Sequence, residues 1–316
     1  MKRCIKIGSR DSKLAVIQAQ LVIHAIEMTN PEIECQLITM KTTGDKILDR
    51  RLDQIGGKGL FVKELDQALL NGTIDLSVHS LKDLSMEVDE RIPLVGFTKR
   101  EDPRDCLLYK QCYHNGEVSF DSMGQYTIGS SSRRRIVQMQ QIYPNAEFES
   151  IRGNVQTRLR KLEEQPFCAT ALAVAGLNRL GMQERIDRIF SVDEVIPAAG
   201  QGILAIQGRK GENYSFLDVV CDRDAELAAT AERAFITKLN GGCSAPMAAY
   251  AERKGEKLLL HGMYYDDSLK RMKKGQKTIM LKQESSLKQA RQLGICLAEE
   301  LVPSVKRDGM EDCYGR

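Results

Sequence analysis

The hydrophobic and polar positions in the first third of the chain follow two different periods. Every second residue is apolar in three short segments, at 5–7, 33–37 and 74–78. Between them, apolar residues recur at steps of three or four over 14–28 and 61–69, as on the buried face of a helix. Short strands that alternate with amphipathic helices predict a mainly parallel sheet covered by helices on both faces.

The middle of the chain repeats this pattern. Strands are predicted at 127–129 and 169–174, each next to an amphipathic helix. Two segments rich in polar residues, proline or glycine, at 99–103 and 197–202, interrupt the pattern and predict connections between structural units.

The last third of the chain, from about residue 222, has a different character. A helix over 227–239 precedes two segments with alternating apolar residues and a last helix over 287–301. The two segments predict an antiparallel pair that turns at Lys274-Gly275. This part is therefore a small, separate α+β unit.

Composition describes an ordinary globular protein. Its 316 residues, 42% hydrophobic and 28% charged, are too many for one core and predict two or three domains. Nine cysteines without a C-x-x-C pair predict a reducing compartment and no metal site, and no apolar run is long enough to span a membrane. A net charge of +3 and 5% aromatic residues do not support nucleic-acid binding. We expect a cytoplasmic protein.

Arginines stand near the predicted starts of three helices. They are Arg10, the pair Arg134 and Arg135, and Arg152 with Arg158 one turn inside its helix. A cation opposes the positive end of the helix dipole, whereas a bound carboxylate would match both the dipole and the guanidinium fork. The pattern favours a site for an anion with several carboxylates. For any one arginine taken alone, a plain surface position remains the alternative.

Asp83 directly follows a predicted buried strand, at the end of the strand where open α/β sheets bind their ligands. Its carboxylate is a candidate for holding a cation or transferring a proton, with a loop or capping aspartate as the alternative. For His79 and Lys82 beside it, a functional role and a structural role are likewise both possible interpretations. His79 fits a packed histidine at a strand end better than a base.

Cys243 differs from the other thiols because it lies in the loop Asn240-Gly241-Gly242-Cys243-Ser244-Ala245-Pro246. The glycines allow close approach, so the thiol is predicted to be accessible. The end of a helix just before it would raise the thiol pKa, which favours a lasting covalent attachment over rapid turnover. Another glycine-rich segment, Gly56-Gly57-Lys58-Gly59, lacks the ending of a phosphate loop and fits a hinge or lid that carries Lys58 and Phe61.

Seven segments in consistent order, from Ile7 to about Tyr250, resemble the hydroxymethylbilane synthase family, also called porphobilinogen deaminase. They are 56–65, 78–83, 100–105, 152–155, 172–177, 200–202 and 241–243. The resemblance implies two α/β domains like the halves of periplasmic binding proteins, with mainly parallel, helix-covered sheets, plus a small α+β domain. It implies the boundaries 1–98 with 201–217, 99–200, and 218–316.

The resemblance also implies a transferase that condenses four porphobilinogen molecules head to tail, with release of ammonia, into hydroxymethylbilane for tetrapyrrole (haem) biosynthesis. A monomer is expected. Cys243 matches the cysteine that carries a dipyrromethane cofactor through a thioether, and Asp83 matches the catalytic aspartate. Carboxylate-binding positions of the family fall, toward the cofactor, on Lys82, Ser131, Arg134, Arg135 and Arg158, and, toward the substrate, on Arg10, Ser12, Arg152 and Gln201.

The chain departs from the family pattern near these motifs. The usual Lys-Asp-Val-Pro is Lys82-Asp83-Leu84-Ser85 here, which loosens the loop after the acid, and Arg133 replaces a commonly apolar residue. Two alternative hypotheses place the chain in other functional classes of protein. A two-lobed solute-binding module for a dicarboxylate would suit the arginines but not the Gly-Gly-Cys loop. A cysteine-dependent acyl transferase lacks a recognisable base.

Overall fold

The computed structural model describes residues 2–42, 62–113, 124–239, 246–282 and 286–302. Within these ranges, no helix is long and apolar enough to cross a membrane. The strands form two five-stranded sheets and one three-stranded sheet.

The first sheet has the strand order β2-β1-β3-β10-β4. Its strands are β1 (Arg3–Arg10), β2 (Ile33–Met40), β3 (Leu76–Ser80), β4 (Leu94–Phe97) and β10 (Leu204–Gly208). β1 pairs in parallel with β2 and β3, and β10 runs antiparallel to both of its neighbours. Helices α1 (Lys13–Thr29) and α2 (Lys63–Leu70) pack on it. The three strands predicted here are confirmed.

The second sheet has the order β7-β6-β8-β5-β9. Its strands are β5 (Asp105–Tyr109), β6 (Tyr126–Gly129), β7 (Ala146–Glu149), β8 (Ala169–Ala173) and β9 (Arg188–Ile189). The accompanying helices are α3 (Arg133–Ile142), α4 (Val155–Glu164) and α5 (Val174–Arg179). β6 is parallel to β7 and β8, while β5 is antiparallel to β8 and β9.

The two large sheets therefore share one topology. In each, three parallel strands are followed by one antiparallel strand and an edge strand. The antiparallel strand comes directly after a connection between the sheets: β5 follows the first connection, and β10 follows the second. This is the mainly parallel, two-lobed α/β arrangement that the sequence led us to expect.

The third sheet is an antiparallel meander that packs against two helices. Its strands are β11 (Met247–Lys254), β12 (Lys257–Asp266) and β13 (Arg271–Met280), and its helices are α6 (Arg223–Leu239) and α7 (Ser286–Leu301). Phe235 of α6 and Leu297 of α7 are central in its core. The predicted α+β unit is confirmed, with β11 as a strand that the hydrophobic pattern did not indicate.

The turn predicted at Lys274-Gly275 is wrong. Both residues lie inside β13, paired with Met263 and Gly262 of β12, and the chain turns before Arg271 at Lys270, which has a φ of 48°. A Cβ on Gly275 would lie 3.0 Å from Leu301 Cδ2. This glycine therefore gives α7 room to pack against the sheet and does not make a turn.

Glu232 of α6 joins the third unit to both connections between the large sheets. Its carboxylate is fully buried and accepts hydrogen bonds from Arg100 Nη2 at 2.7 Å and from the Gly200 amide at 2.7 Å. It also accepts one from the Ala251 amide of β11 at 2.7 Å. On another side, Arg133 of α3 pairs with Asp267, which gives this unusual arginine a structural partner.

Candidate active site

Asp83 lies in a short turn held at the end of a buried strand. β3 runs directly into a single 3-10 turn, Leu81–Asp83. Leu81 is fully buried, donates its amide to the Ile203 carbonyl at 3.0 Å, and packs so closely on Gly200 that a Cβ there would lie 2.5 Å from its Cγ. With its neighbour buried in this way, the Asp83 side chain points outward and is exposed.

A small cleft opens beside Asp83 at the edge where the parallel strands end. Arg10, the last residue of β1, and Ser80, the last of β3, line it together with Asp83. Ser12 is the N-cap of α1, and its Oγ accepts a hydrogen bond from the Ala15 amide at 3.3 Å. The structure therefore brings Arg10 to Asp83, whereas Ser12 has an evident capping role.

His79 lines the same cleft but is a packed residue. Its Nε2 lies 2.8 Å from Ser77 Oγ, and its side chain is buried. Burial and the charge of Arg10 lower the pKa of His79 to about 4, although a hydrogen bond with Gln207 acts in the opposite direction. The ring is therefore neutral at physiological pH, in agreement with the interpretation as a strand-end histidine.

Arg134 and Arg135 share a buried carboxylate, Asp105, at the start of β5. Asp105 Oδ2 accepts from Arg134 Nη1 at 2.7 Å, and Oδ1 accepts from Arg135 Nε at 2.9 Å and Nη2 at 2.8 Å. Burial alone would raise the pKa of the Asp105 carboxyl, but the two guanidinium charges hold it well below its usual range. The anion that these two arginines contact at the helix start is therefore the protein's own Asp105 carboxylate.

Gln201 connects this pair to the Asp83 turn. Its Nε2 donates to Asp105 Oδ1 at 2.9 Å, and its Oε1 accepts from Lys82 Nζ at 3.2 Å. Burial lowers the pKa of Lys82 to about 8, although Asp83 raises it. A chain of hydrogen bonds thus runs from the first sheet through the second connection to the arginines of the second sheet.

A larger cavity of about 290 Å³ lies between the three units. Cationic side chains face it from the two large sheets, and methionine, alanine, isoleucine and proline side chains form the remaining walls: Lys82, Arg133, Arg134, Met86, Ala198, Ala199, Ile236, Pro246 and Met247. Cys243, Lys58 and Phe61 lie outside the described residues. Ile236 of α6, a helix that ends at Leu239, and Pro246, where the described chain resumes, both line this cavity.

The second arginine-rich loop lies on the same side. Arg158 donates from Nε to the Gly153 carbonyl at 2.8 Å. Burial and the charge of Arg135 lower the pKa of Arg158 to about 10, while the charge of Asp83 raises it. Arg152, in the loop just before α4, is partly buried. Ser131 Oγ donates to the Ile151 carbonyl at 2.8 Å and ties this loop to the start of α3.

Four residues at the site had no role assigned from the sequence. Asp105 and Glu232 are fully buried acids, and Arg179 and Arg233 are partly buried arginines that bind backbone carbonyls. Arg179 Nη2 donates to the Gly202 carbonyl at 2.6 Å. Asp105 gave one available signal: it is an acid at the head of the apolar run Cys106-Leu107-Leu108. The other three carry no local signal because their partners are distant in sequence.

The fold and the site together define a class. Two α/β lobes and a third unit surround a cavity with cationic and apolar walls, next to one exposed aspartate at a strand end. Such a lining suits a ligand with both apolar and anionic parts, since arginine and lysine bind carboxylates and the remaining walls are apolar. An enzyme acting on a polycarboxylate is the class that accounts for these features.

Comparison with known proteins identifies the family. Residues 5–215 match the model of the dipyrromethane cofactor-binding domain of porphobilinogen deaminase, and residues 226–303 match the model of its C-terminal domain. The chain therefore belongs to the porphobilinogen deaminase family, whose members are transferases also known as hydroxymethylbilane synthases.

Individual relatives agree. Porphobilinogen deaminase of Acetivibrio thermocellus is 51% identical over 298 residues, 94% of this chain and 98% of the relative. That of Trichlorobacter lovleyi is 40% identical over 315 residues, 99% of this chain and 97% of the relative. Among solved structures, the periplasmic VFT2 domain of Bordetella pertussis BvgS is similar with a TM-score of 0.37 at 13% identity, covering 69% of this chain and 84% of that domain.

Proposed function

We propose that the cleft at Asp83 and the larger cavity are adjoining parts of one active site for the reaction of the family. That reaction joins four porphobilinogen molecules head to tail, releases ammonia at each step and gives hydroxymethylbilane. The observation that carries the proposal is the chain of hydrogen bonds from Lys82 through Gln201 and Asp105 to the paired arginines. It aligns cations from both large sheets along a single path beside Asp83.

The charge of the site suits the substrate. Porphobilinogen carries an acetate and a propionate, so each added unit brings two more carboxylates. Arginine stays protonated and binds carboxylates at two points, which makes it the appropriate counter-ion. We assign Arg10 and Arg152 to substrate carboxylates, with Gln201 holding Lys82 in place and Ser12 available through its hydroxyl proton. Arg10 lines the same cleft as Asp83.

Asp83 is the proposed catalytic residue. When the amine of porphobilinogen leaves, the bond between the methylene carbon and nitrogen breaks, and positive charge spreads over the pyrrole ring. A carboxylate placed beside the ring offsets this charge and accepts a hydrogen bond from the pyrrole N–H. After the new carbon–carbon bond forms, the accepting carbon must lose a proton, and an exposed carboxylate can receive it.

The lining of the larger cavity fits the dipyrromethane cofactor of the family. Its two flat pyrrole rings match the walls of Met86, Ile236 and Met247, and its carboxylates match Lys82 and Arg134. We assign Lys82, Ser131, Arg134, Arg135 and Arg158 to holding it. When bound, the cofactor supplies the free pyrrole carbon on which the chain is begun.

The attachment point is proposed to be Cys243, through a thioether. The support is positional: Ile236 of α6 and Pro246, which come before and after Cys243 in the chain, both line the cavity. A thioether is stable through successive condensations and keeps the growing chain at high effective concentration. Lys58 and Phe61 are proposed to belong to a lid.

We further propose a cytoplasmic monomer with three domains, 1–98 with 201–217, 99–200, and 218–316. The segregation of strands into three sheets supports these boundaries, since β10 joins the first sheet although it follows the second in sequence.

The test is turnover of porphobilinogen by the purified protein and its variants. Wild type should release one ammonia for each porphobilinogen consumed, and Asp83→Asn should keep the cofactor but lose at least about 99% of turnover, in line with the loss of general acid–base catalysis. Glu90→Gln, an exposed acid in the same segment, is the matched control and should behave as wild type. Near-normal turnover in Asp83→Asn would refute the assigned role.

A further inference from the structure

Arg233 of α6 forms hydrogen bonds with the backbone just after Asp83. Its Nη2 donates to the Ser85 carbonyl at 2.5 Å and to the Met86 carbonyl at 3.0 Å. These carbonyls belong to the second and third residues after the catalytic aspartate. The contact joins an element of the third unit to the loop that carries Asp83 out of the first sheet.

The residues on both sides of Asp83 pack onto the same helix. Leu81 and Leu84 share a buried cluster with Ala225 and Ala229 of α6. Met86 packs against the core of the third unit. Ala225, Ala229 and Arg233 follow one another at four-residue steps, so they form one face of α6 along the Asp83 loop. Arg233 is the polar end of this contact.

Among the residues that the structure describes, Arg233 has no acidic partner that would explain it as a structural ion pair. Burial lowers the pKa of its guanidinium, and no carboxylate in the described part of the chain opposes this effect. Its Nη1 is buried and has no hydrogen-bond partner in the ranges that the structure describes. A partly buried guanidinium with one unsatisfied Nη group is unfavourable for stability. The Arg233 side chain nevertheless restricts the backbone at residues 85 and 86, because one Nη group donates to both of these successive carbonyls.

The same helix leads toward the cysteine. α6 ends at Leu239, six residues after Arg233 and four before Cys243. One residue before Arg233, Glu232 fixes α6 to both connections between the large sheets. α6 is therefore held rigidly where it meets the Asp83 loop. Ser85 has no ring to restrict its backbone, so the two hydrogen bonds from Arg233 add to the loop's own contact, in which the Glu87 amide donates to Ser85 Oγ at 3.3 Å.

We propose that Arg233 is a positioning residue that fixes the Asp83 loop to the helix leading to the cofactor cysteine, and so keeps the carboxylate in register with the growing chain. The inference rests on the proposed roles of Asp83 and Cys243. Arg233 acts through the backbone of residues 85 and 86 and does not touch the substrate. Its loss should slow the chemical steps and leave carboxylate binding intact.

The experiment compares Arg233→Met and Arg233→Lys with Arg253→Met as the matched control. Arg253 also belongs to the third unit and binds a carbonyl, that of Gly255, but it pairs with Asp224 far from the Asp83 loop. Each holoenzyme is assayed for kcat and KM with porphobilinogen, and hydrogen exchange is measured at the amides of residues 84–87. Intact mass verifies that each variant carries the cofactor.

Arg233→Met should lower kcat by between about 10- and 100-fold, the range expected when a reacting group is displaced by a fraction of an ångström to an ångström, and KM should stay within about twofold. Exchange at 84–87 should become faster. Arg233→Lys, which keeps a donor, should recover part of both, and Arg253→Met should match wild type. A purely structural role would change exchange and melting temperature but leave kcat of the folded holoenzyme unchanged, and this result would overturn the proposal.

If Arg233→Met does not fold, Arg233→Lys decides the matter alone. Its loss of kcat must accompany faster exchange at 84–87, and either change without the other contradicts positioning. Failure of the proposed function is a separate result, because wild type itself would then release no ammonia from porphobilinogen.

Discussion

Replacing Asp105 with asparagine should destabilise the protein strongly, although the substitution hardly changes the volume of the side chain. Asp105 is fully buried and accepts four hydrogen bonds, from Arg134 Nη1, Arg135 Nε and Nη2, and Gln201 Nε2, at 2.7 to 2.9 Å. Asparagine keeps the volume but loses the charge, and it turns an NH₂ group toward a guanidinium. Two buried cations then remain without their shared counter-ion.

Removal of one partner from a buried ion pair costs about 3–5 kcal/mol, and this range is the expected loss of unfolding free energy. A matched control lies three residues earlier. Asp102 binds Arg104 through both of its oxygens, with Arg104 Nε 2.9 Å from Oδ1 and Nη2 2.6 Å from Oδ2, but the Arg104 side chain is 44% exposed. Asp102→Asn should therefore cost no more than about 1 kcal/mol, as for a surface pair.

The assay is denaturant unfolding of the two variants and wild type, followed across pH. Because the Asp105 pKa is lowered in the folded protein, its contribution is fully present above the unfolded pKa near 3.8 and declines as the pH falls below it. The gap between wild type and Asp105→Asn should therefore be constant from pH 5 to 7 and shrink in acid. Equal effects of Asp105→Asn and Asp102→Asn at pH 7 would refute the account of the buried network.

Two further predictions concern Lys82 and Gly200. Since the Lys82 pKa is about 8, the charge proposed to hold the cofactor carboxylates is lost as the pH rises through 8, so kcat with porphobilinogen should fall there in wild type but not in Lys82→Arg, and equal pH profiles would contradict this. Gly200→Ala must adopt a φ of 76° and place a Cβ 2.5 Å from Leu81 Cγ, whereas Gly211→Ala has a similar φ of 86° and meets no described atom within 4 Å. Thermal denaturation should show that Gly200→Ala loses about 1–3 kcal/mol more than Gly211→Ala, and equal losses would exclude the packing effect.

Much of the fold was predictable because the strands near Ile5, Ile33 and Leu76 and their helices carry clear periods of two and 3.6 residues. The position of Asp83 in a polar turn at the end of β3 was also predictable, since a buried strand that ends in a polar turn is a local feature. The predictions that were wrong concern residues whose role depends on partners distant in sequence. Gly275 looked like a turn residue, but it is glycine because α7 packs against β13.

The polar network could not be predicted from the sequence for the same reason. The sequence identified Arg134 and Arg135 as cations at a helix start. Their anionic partner is Asp105 of β5, about 30 residues earlier in the chain, which the local sequence does not indicate. Ser12 looked like part of an anion site and is seen to cap α1. Short polar side chains at helix starts serve both purposes, and only the three-dimensional arrangement distinguishes them.

The most direct test of the account is the intact mass of the purified protein. Wild type and Cys221→Ser, which removes an exposed thiol away from the cysteine loop, should both exceed their sequence masses by one dipyrromethane. Cys243→Ser should have its sequence mass and give no colour with an aldehyde reagent for pyrroles. An unmodified mass for active wild-type protein, or an added dipyrromethane in Cys243→Ser, would contradict the claim that Cys243 anchors the cofactor.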